Sequence, residues 1–407
     1  MNCQLDAASI FYENSLYRFM YEATGSFVPC WMSHLLAGLA IMLLLVNSVL
    51  LGAALVTWLE RRILGRLHNR IGPNRWGPFG LLQPLADLAK LLTKEDLVPA
   101  GADKLVFTLV PFVMMLPLVL MTAVIPFSYN TMLADLNVGV LFILAVSSAS
   151  TIGIFMAGWS SNNRYALFGA ARSVAVLISY EVPVVVSLLG IVMITGSMSL
   201  NSIVQAQTIP FLLVQPLALF IFVTGMSAEL NRTPFDIAEA ESEIIAGYHT
   251  EYSGIKFALI FATETGAMLV VSAIIATLFL SGWNGPFESF LGWLWFLLKT
   301  LGIIFVFIWV RATYPRLRLD QIMALSWKFL LPLSLINLAV TSIEVFVLKG
   351  VDGYLSTMDL WIMAGINIPL SIMLVLALGG VLNKKVDASP VKAAAPVVPG
   401  VATIEVK

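Results

Sequence analysis

Long apolar runs, separated by short polar segments, take up most of this chain. They cover residues 33–59, 105–127, 138–159, 174–195, 210–228, 257–281, 291–311, 327–348 and 359–382. Each is close to the roughly 20 apolar residues that a helix needs to cross the hydrocarbon core of a bilayer. None shows the sustained period-two alternation of a barrel strand. The pattern predicts an all-α fold, a polytopic membrane helical bundle of about nine transmembrane helices. An odd number of crossings puts the chain ends on opposite sides. Residues 1–32 then form an outer-side N-terminal segment, 33–382 the transmembrane domain, and 383–407 an Ala/Pro/Val-rich tail expected to be disordered.

Composition strengthens the membrane reading. Mean hydropathy is +0.90, 59% of residues are hydrophobic and only 12% charged. A net charge of −1 leaves no basic footprint for nucleic acid. Apart from Arg18, Lys349 and Lys299, every Lys and Arg falls in residues 60–104, 160–173, 229–256, 311–328 or the tail. The positive-inside rule makes that side cytoplasmic and the N-terminus external. The first residues lack a basic stretch followed by a short apolar core, so no cleaved signal is expected. Cys3, Cys30, His34, His68 and His249 are too scattered for a Cys-ligated iron–sulfur cluster or a tetrahedral zinc site. No glycine-rich nucleotide loop is present. No cofactor is expected on this chain, and any redox group must sit on a partner. Cys3 and Cys30 could pair on an oxidising side or stay free thiols.

The segments assigned to the cytoplasm carry the unusual sequence. In the first, Arg61, Arg62, Arg66, Arg70 and Arg75 lead into RIGPNRWGPFG, a rigid series of Gly/Pro turns. Leu81, Leu82, Leu85, Leu88, Leu91 and Leu92 then recur on one helical face, with Asp87, Lys90 and Lys94 opposite. This stretch is too short and too polar to span and should lie along the interface. In the second segment Arg164 and Arg172 flank a short amphipathic turn. Glu181 follows inside an apolar run, two residues before Pro183.

The third segment, NRTPFDIAEAESEII, gathers Asp236, Glu239, Glu241 and Glu243 just after Glu229. Thr233-Pro234 reads as a helix start, with Thr233 the N-cap and Asp236 at N3. Interleaved Ile and Ala favour a half-buried helix over a solvated acidic loop that docks a basic partner, and acids buried this close together would have to titrate apart. The fourth segment sets Arg311, Arg316, Arg318 and Asp320 around a Tyr-Pro turn and could supply counter-charges. Glu181, Glu229, Glu264 and Glu344 all stand in or at the edge of apolar runs. Carboxylates at that depth are expensive and favour a proton path. Lys299, also within a run, is long enough to snorkel to the outer interface.

ERRILGRLHNRIGPNRWGPFGLLQPLADLAKLLTKED, NNRYALFGAARSVAVLISYEVP, AELNRTPFDIAEAESEIIAGYHTEYSG and RATYPRLRLDQIM together resemble the family of the H subunit of bacterial NADH:quinone oxidoreductase (respiratory complex I). Its mitochondrial equivalent is NADH dehydrogenase subunit 1. The resemblance runs over residues 33–348, with all four segments in the same order. Two departures stand out: many family members end after eight spans, and His68-Asn69 replaces a Gln-containing pair.

The resemblance implies a multi-pass subunit of the inner (cytoplasmic) membrane, at the junction with the redox arm. The resemblance also implies that it forms part of a quinone tunnel and has no activity as an isolated chain. It implies proton-coupling roles for Glu181, Glu229, Asp236, Glu239, Glu241, Glu243 and Glu264. It implies that Arg61, Arg62, Arg70, Phe235, Arg316 and Arg318 line or support a site for quinone, such as ubiquinone, with helix 81–92 at the entrance. FMN and iron–sulfur clusters would belong to partner subunits, together with the hydrophilic quinone-site subunit, the terminal-cluster subunit and small membrane subunits of the coupling chain. Membrane lipid surrounds it. The equivalent subunit of a complex fed by ferredoxin or another donor, or of a membrane-bound hydrogenase, is the alternative. A stand-alone transporter should show internal repeats, and none is apparent.

Overall fold

The computed structural model describes residues 15–25, 29–128, 132–236, 246–348 and 356–387, and among these there is no strand. Glu239, Glu241, Glu243, Cys3, and the tail beyond Asp387 lie outside the described residues. Among the described residues, eight helices are long and apolar enough to cross a membrane.

A short helix, α1 (Ser15–Gly25), precedes the first crossing. Tyr17 and Tyr21 pack against Ala37, Ile41 and Leu45 of α2, while Phe19 is exposed. Helix α2 (Cys30–Leu67) has 38 residues. At 1.5 Å per residue it reaches about 57 Å, well beyond the roughly 30 Å apolar core. Its last turns therefore carry Glu60, Arg61, Arg62 and Arg66 past the membrane. Asn69, at φ 54°, ends the helix, and the chain folds back so that the Arg70 N–H reaches the Gly65 carbonyl at 2.8 Å. A Cβ on Gly72 would stand 2.9 Å from Arg62 Cα, so the returning segment fits only without a side chain there. Gly80 is tighter: a Cβ would lie 2.3 Å from the Pro73 carbonyl oxygen, and its φ is 77°. The leucine-faced helix α3 (Gln83–Thr93) follows, with Leu85, Leu88 and Leu92 exposed. Leu81 and Leu82 lie just before it.

Helices α4 (Lys104–Val124), α5 (Gly139–Ser160) and α6 (Arg164–Thr195) pack consecutively. Asn163 caps α6 by accepting the Tyr165 N–H at 2.9 Å, which makes the expected Arg164–Arg172 turn the first part of one long helix. After the short α7 (Leu200–Ala206), the fifth apolar run is not one helix. It divides into α8 (Phe211–Val214) and α9 (Pro216–Glu229). Pro216 has no N–H to continue the ladder, and the residue before a proline is pushed out of the α region. Of the nine expected crossings, eight are thus continuous and one is broken.

Helix α10 (Gly254–Phe279) is the most enclosed, against α2, α4 and α11 (Glu288–Thr313). Helix α12 (Leu319–Leu348) contains a π-turn at Ser326–Leu330. Helix α13 (Thr357–Asp387) completes the bundle. Lys299 of α11 donates to the Gly282 and Asn284 carbonyls at 2.9 and 2.8 Å, satisfying its charge on the loop after α10.

Candidate functional site

The polar residues of the interior converge on two neighbouring places. The first lies among α5, α6, α9 and α10. Here α5 interrupts its apolar surface with Ser147, Ser148, Ser150 and Thr151. The Ser148 hydroxyl donates to Glu181 of α6. Ser147, Ser150, Glu181 and Glu229 line a small cavity of about 20 Å³. Ser147, Ser150 and Glu229 also line a larger one of about 80 Å³, together with Tyr248, Thr263 and Glu264. Both cavities exceed the roughly 10–15 Å³ that a single water requires, so each has room for at least one. Glu229 and Glu264 are each partly accessible, and the cavity they line accounts for it. The Tyr248 hydroxyl, fully buried, donates to Glu264. Asn231 adds one more polar group, and the rest of the larger cavity is apolar, including Met114, Leu118, Met121 and Phe222. Carboxylates, hydroxyls and space for water in an apolar shell are what a proton relay requires.

The second place is the end of the bundle where α2 and α11 finish. Glu60, 6% exposed, accepts from Arg232 at 2.6 Å and from Arg311. Arg232 belongs to the turn after α9, so one carboxylate ties three elements together. That turn is not the helix start expected at Thr233. The Phe235 N–H returns to the Arg232 carbonyl at 2.8 Å, and the Pro234 carbonyl accepts from Leu317 N at 3.0 Å. The turn is therefore docked on the fourth polar segment, and Asp236 is buried beside Arg316 at 3.1 Å. Phe235 is buried too, edge-on to Tyr180 with ring centroids 5.3 Å apart. Nearby, Tyr252 stacks on Phe107 at 4.1 Å, and burial pushes its phenol up to about 12.

The remaining arginines divide by role. Arg62 donates to the Phe79 carbonyl at 2.7 Å and lies over the rings of Trp58 and Phe79 at 5.5 and 4.9 Å. Phe79 itself has φ 57°, a backbone region that an L side chain occupies only when held. Arg61 pairs with Asp87 of α3 at 2.5 Å. Both thus clamp the Gly/Pro turn and α3 onto the end of α2. Arg70 and Arg318 are exposed, and the Arg318 N–H starts α12 by donating to Gln321 at 3.1 Å.

The structure brings Glu181, Glu229 and Glu264 to the two adjoining cavities, with Asp236 beside Arg316; of the residues expected at the quinone site, Arg61 and Arg62 hold α3 and the Gly/Pro turn, Phe235 packs on Tyr180, and Arg70 and Arg318 are exposed. Sequence reasoning passed over Glu60, Arg232, Tyr248 and the serines of α5. The run VSSAST inside an apolar span was a readable signal for the serines. Nothing local marks Glu60, whose partners are 172 and 251 residues away.

Comparison with known proteins bears on this arrangement. The family model described as NADH dehydrogenase matches residues 39–342. The NADH-quinone oxidoreductase H subunit of Dehalococcoides mccartyi (strain CBDB1) is 54% identical over 343 residues, covering 84% of this chain and 94% of the relative. The first of the H subunits of Geobacter metallireducens is 51% identical over 313 residues, covering 74% and 94%. The H subunit of Thermomicrobium roseum is 48% identical over 317 residues, covering 73% and 92%. The matched region contains the broken crossing, both cavities and the Glu60–Arg232–Arg311 tie. The chain belongs to the NADH dehydrogenase family, as a multi-pass membrane subunit of an oxidoreductase complex.

Proposed function

We propose that this subunit forms the membrane wall of a quinone chamber and couples quinone reduction to proton movement through its buried carboxylates. The observation that carries the reading is the pair of adjoining cavities, which share Ser147, Ser150 and Glu229 and so link Glu181 to Glu264 through hydroxyls and water-sized space. A purely structural anchor gains nothing from carboxylates held there. The clamped turn 68–82 and the exposed leucines of α3 would frame the entrance for an isoprenoid tail. Arg61, Arg62, Arg70, Phe235, Arg316 and Arg318 would support the headgroup side, directly or through the turns they hold. Asp236, Glu239, Glu241 and Glu243 would sense the charge change at that end and pass it to Glu229. Electrons would arrive from an iron–sulfur cluster of a partner, fed by NADH through FMN on another subunit, in a complex seated in the inner (cytoplasmic) membrane.

The test is substitution of Glu229 and Glu264 by Gln in the intact complex, with subunit levels checked by immunoblot. Quinone reductase activity coupled to proton uptake should fall at least about tenfold in each, the loss expected when a positioned proton carrier is removed. Normal turnover and normal proton movement in both variants, at normal subunit levels, would dismiss the relay.

A further inference from the structure

The break in the fifth crossing is lined by polar groups that the cavity carboxylates do not use. Gln215, between α8 and α9, has φ −132° and ψ 60°, so the helical ladder stops there. Side chains from two other helices close on the gap. Gln215 donates to the Thr341 hydroxyl at 2.7 Å, and Asn337 donates to the Gln215 side-chain oxygen at 3.2 Å. Asn367 of α13 donates to the Val214 carbonyl and to Glu344 Oε2, each at 2.9 Å. Asn337, Thr341 and Glu344 stand at i, i+4 and i+7 on α12, one stripe turned toward the break. Glu344 is 8% exposed, and its Oε1 is buried with no hydrogen-bond partner among the described residues.

No described charge balances an anion at that position. On α13, Asp359 is about 12 Å further along the helix and accepts from Ser356. On α6, Gly190 abuts Gln215, and Glu181 is about 13 Å away along the axis. On α9, Glu229 is about 20 Å from the break. An ionised Glu344 would keep one neutral N–H bond and leave one oxygen bare against apolar neighbours, an expensive state. A metal cation would need several oxygens converging on it, whereas the Val214 carbonyl and Glu344 Oε2 each already spend a lone pair on Asn367, which leaves Oε1 as the unengaged carboxylate oxygen. A proton needs Oε1 alone. Broken membrane helices are the places where freed backbone groups and a side chain hold such a small ligand.

We propose that Glu344 is a second proton-binding site of this subunit, held by Asn367 against the break at Val214–Pro216 and separate from the Glu181–Glu229–Glu264 cluster. One proton adds to Oε1, and no electrons move. The last described helix is part of the site, since it supplies Asn367. The proposal does not rest on quinone coupling, because the site can be titrated without turnover.

The experiment is infrared difference spectroscopy of the intact complex, purified from its own membranes, between acidic and alkaline buffers. The wild type should show the C=O stretch of a protonated carboxyl that shifts in D₂O and is absent in Glu344→Gln. Asn367→Leu, which leaves the acid in place but removes its donor, should move the pH midpoint of that band, and it serves as well if Glu344→Gln fails to assemble. Superimposable spectra for wild type and Glu344→Gln, or an unmoved midpoint in Asn367→Leu, would overturn the proposal. So would a band abolished by Na⁺ or K⁺, which would mean a metal cation site. Gln has the shape of the protonated acid, so normal assembly is expected; loss of the subunit in Glu344→Gln but not in Glu344→Asp would mean that the charge is required, and would also overturn it.

Discussion

Replacing Glu60 with Gln tests the tie that organises the proposed coupling end. The carboxylate side chain is 8% exposed, Arg232 is 11% and Arg311 is 27%. Removing one partner of a buried pair costs about 3–5 kcal/mol, because the charge left behind cannot recover its water. Arg311 can recover some, so the low end applies and about 3 kcal/mol is expected for Glu60→Gln. Arg311→Met should cost only about 1 kcal/mol, since Glu60 keeps Arg232 and a part-exposed pair is worth little. Glu60→Gln combined with Arg232→Met should cost about 2 kcal/mol less than the sum of the two, as residues in one network are not additive. The assay is the midpoint of heat dissociation of this subunit from the detergent-solubilised complex. Glu60→Gln should lower it by several degrees, and Arg311→Met by about 1–2 °C. A Glu60→Gln midpoint equal to wild type would refute the reasoning, because it would mean that both arginines find water or other partners without cost.

Other substitutions probe separate parts of the molecule. Gly80→Ala should destabilise the complex by more than about 2 kcal/mol through the clash at Pro73 and the positive φ, whereas Gly302→Ala, with nothing within 4 Å, should be neutral or slightly stabilising. Equal effects in the same heat assay would discredit the close approach. Arg62→Lys keeps the charge but loses the planar guanidinium that both stacks and bonds to Phe79. It should speed tryptic cleavage of inside-out vesicles at Arg70 and Arg75 severalfold; unchanged cleavage would mean that the turn is held by other contacts. Burial raises Tyr252 to about 12 from an ordinary value near 10. Its contribution is therefore complete below about pH 10 and lost between about pH 10 and 12. Tyr252→Phe should flatten that alkaline limb of the heat-stability profile, and an identical limb in the variant would assign it elsewhere.

Much of the molecule is legible from local chemistry. Membrane insertion, the number and order of the apolar runs, and the depth of Glu181, Glu264 and Glu344 follow from side-chain hydropathy read a window at a time, because the bilayer imposes the same cost on every helix whatever its neighbours. The break at Gln215-Pro216 could have been read as well, since proline removes its hydrogen bond wherever it stands. Where the polar side chains meet is another matter. Glu60 finds Arg232 and Arg311 across 172 and 251 residues, and Glu344 finds Asn367 only because α13 packs beside the break. Thr233-Pro234 has the composition of a helix start, yet docking against Leu317 and burial of Phe235 make it a turn. Sequence by itself determined which residues had to enter the membrane and which of them would be costly there. Only the tertiary structure decided which costly groups share a cavity, because helix packing sets distances that no spacing along one helix encodes.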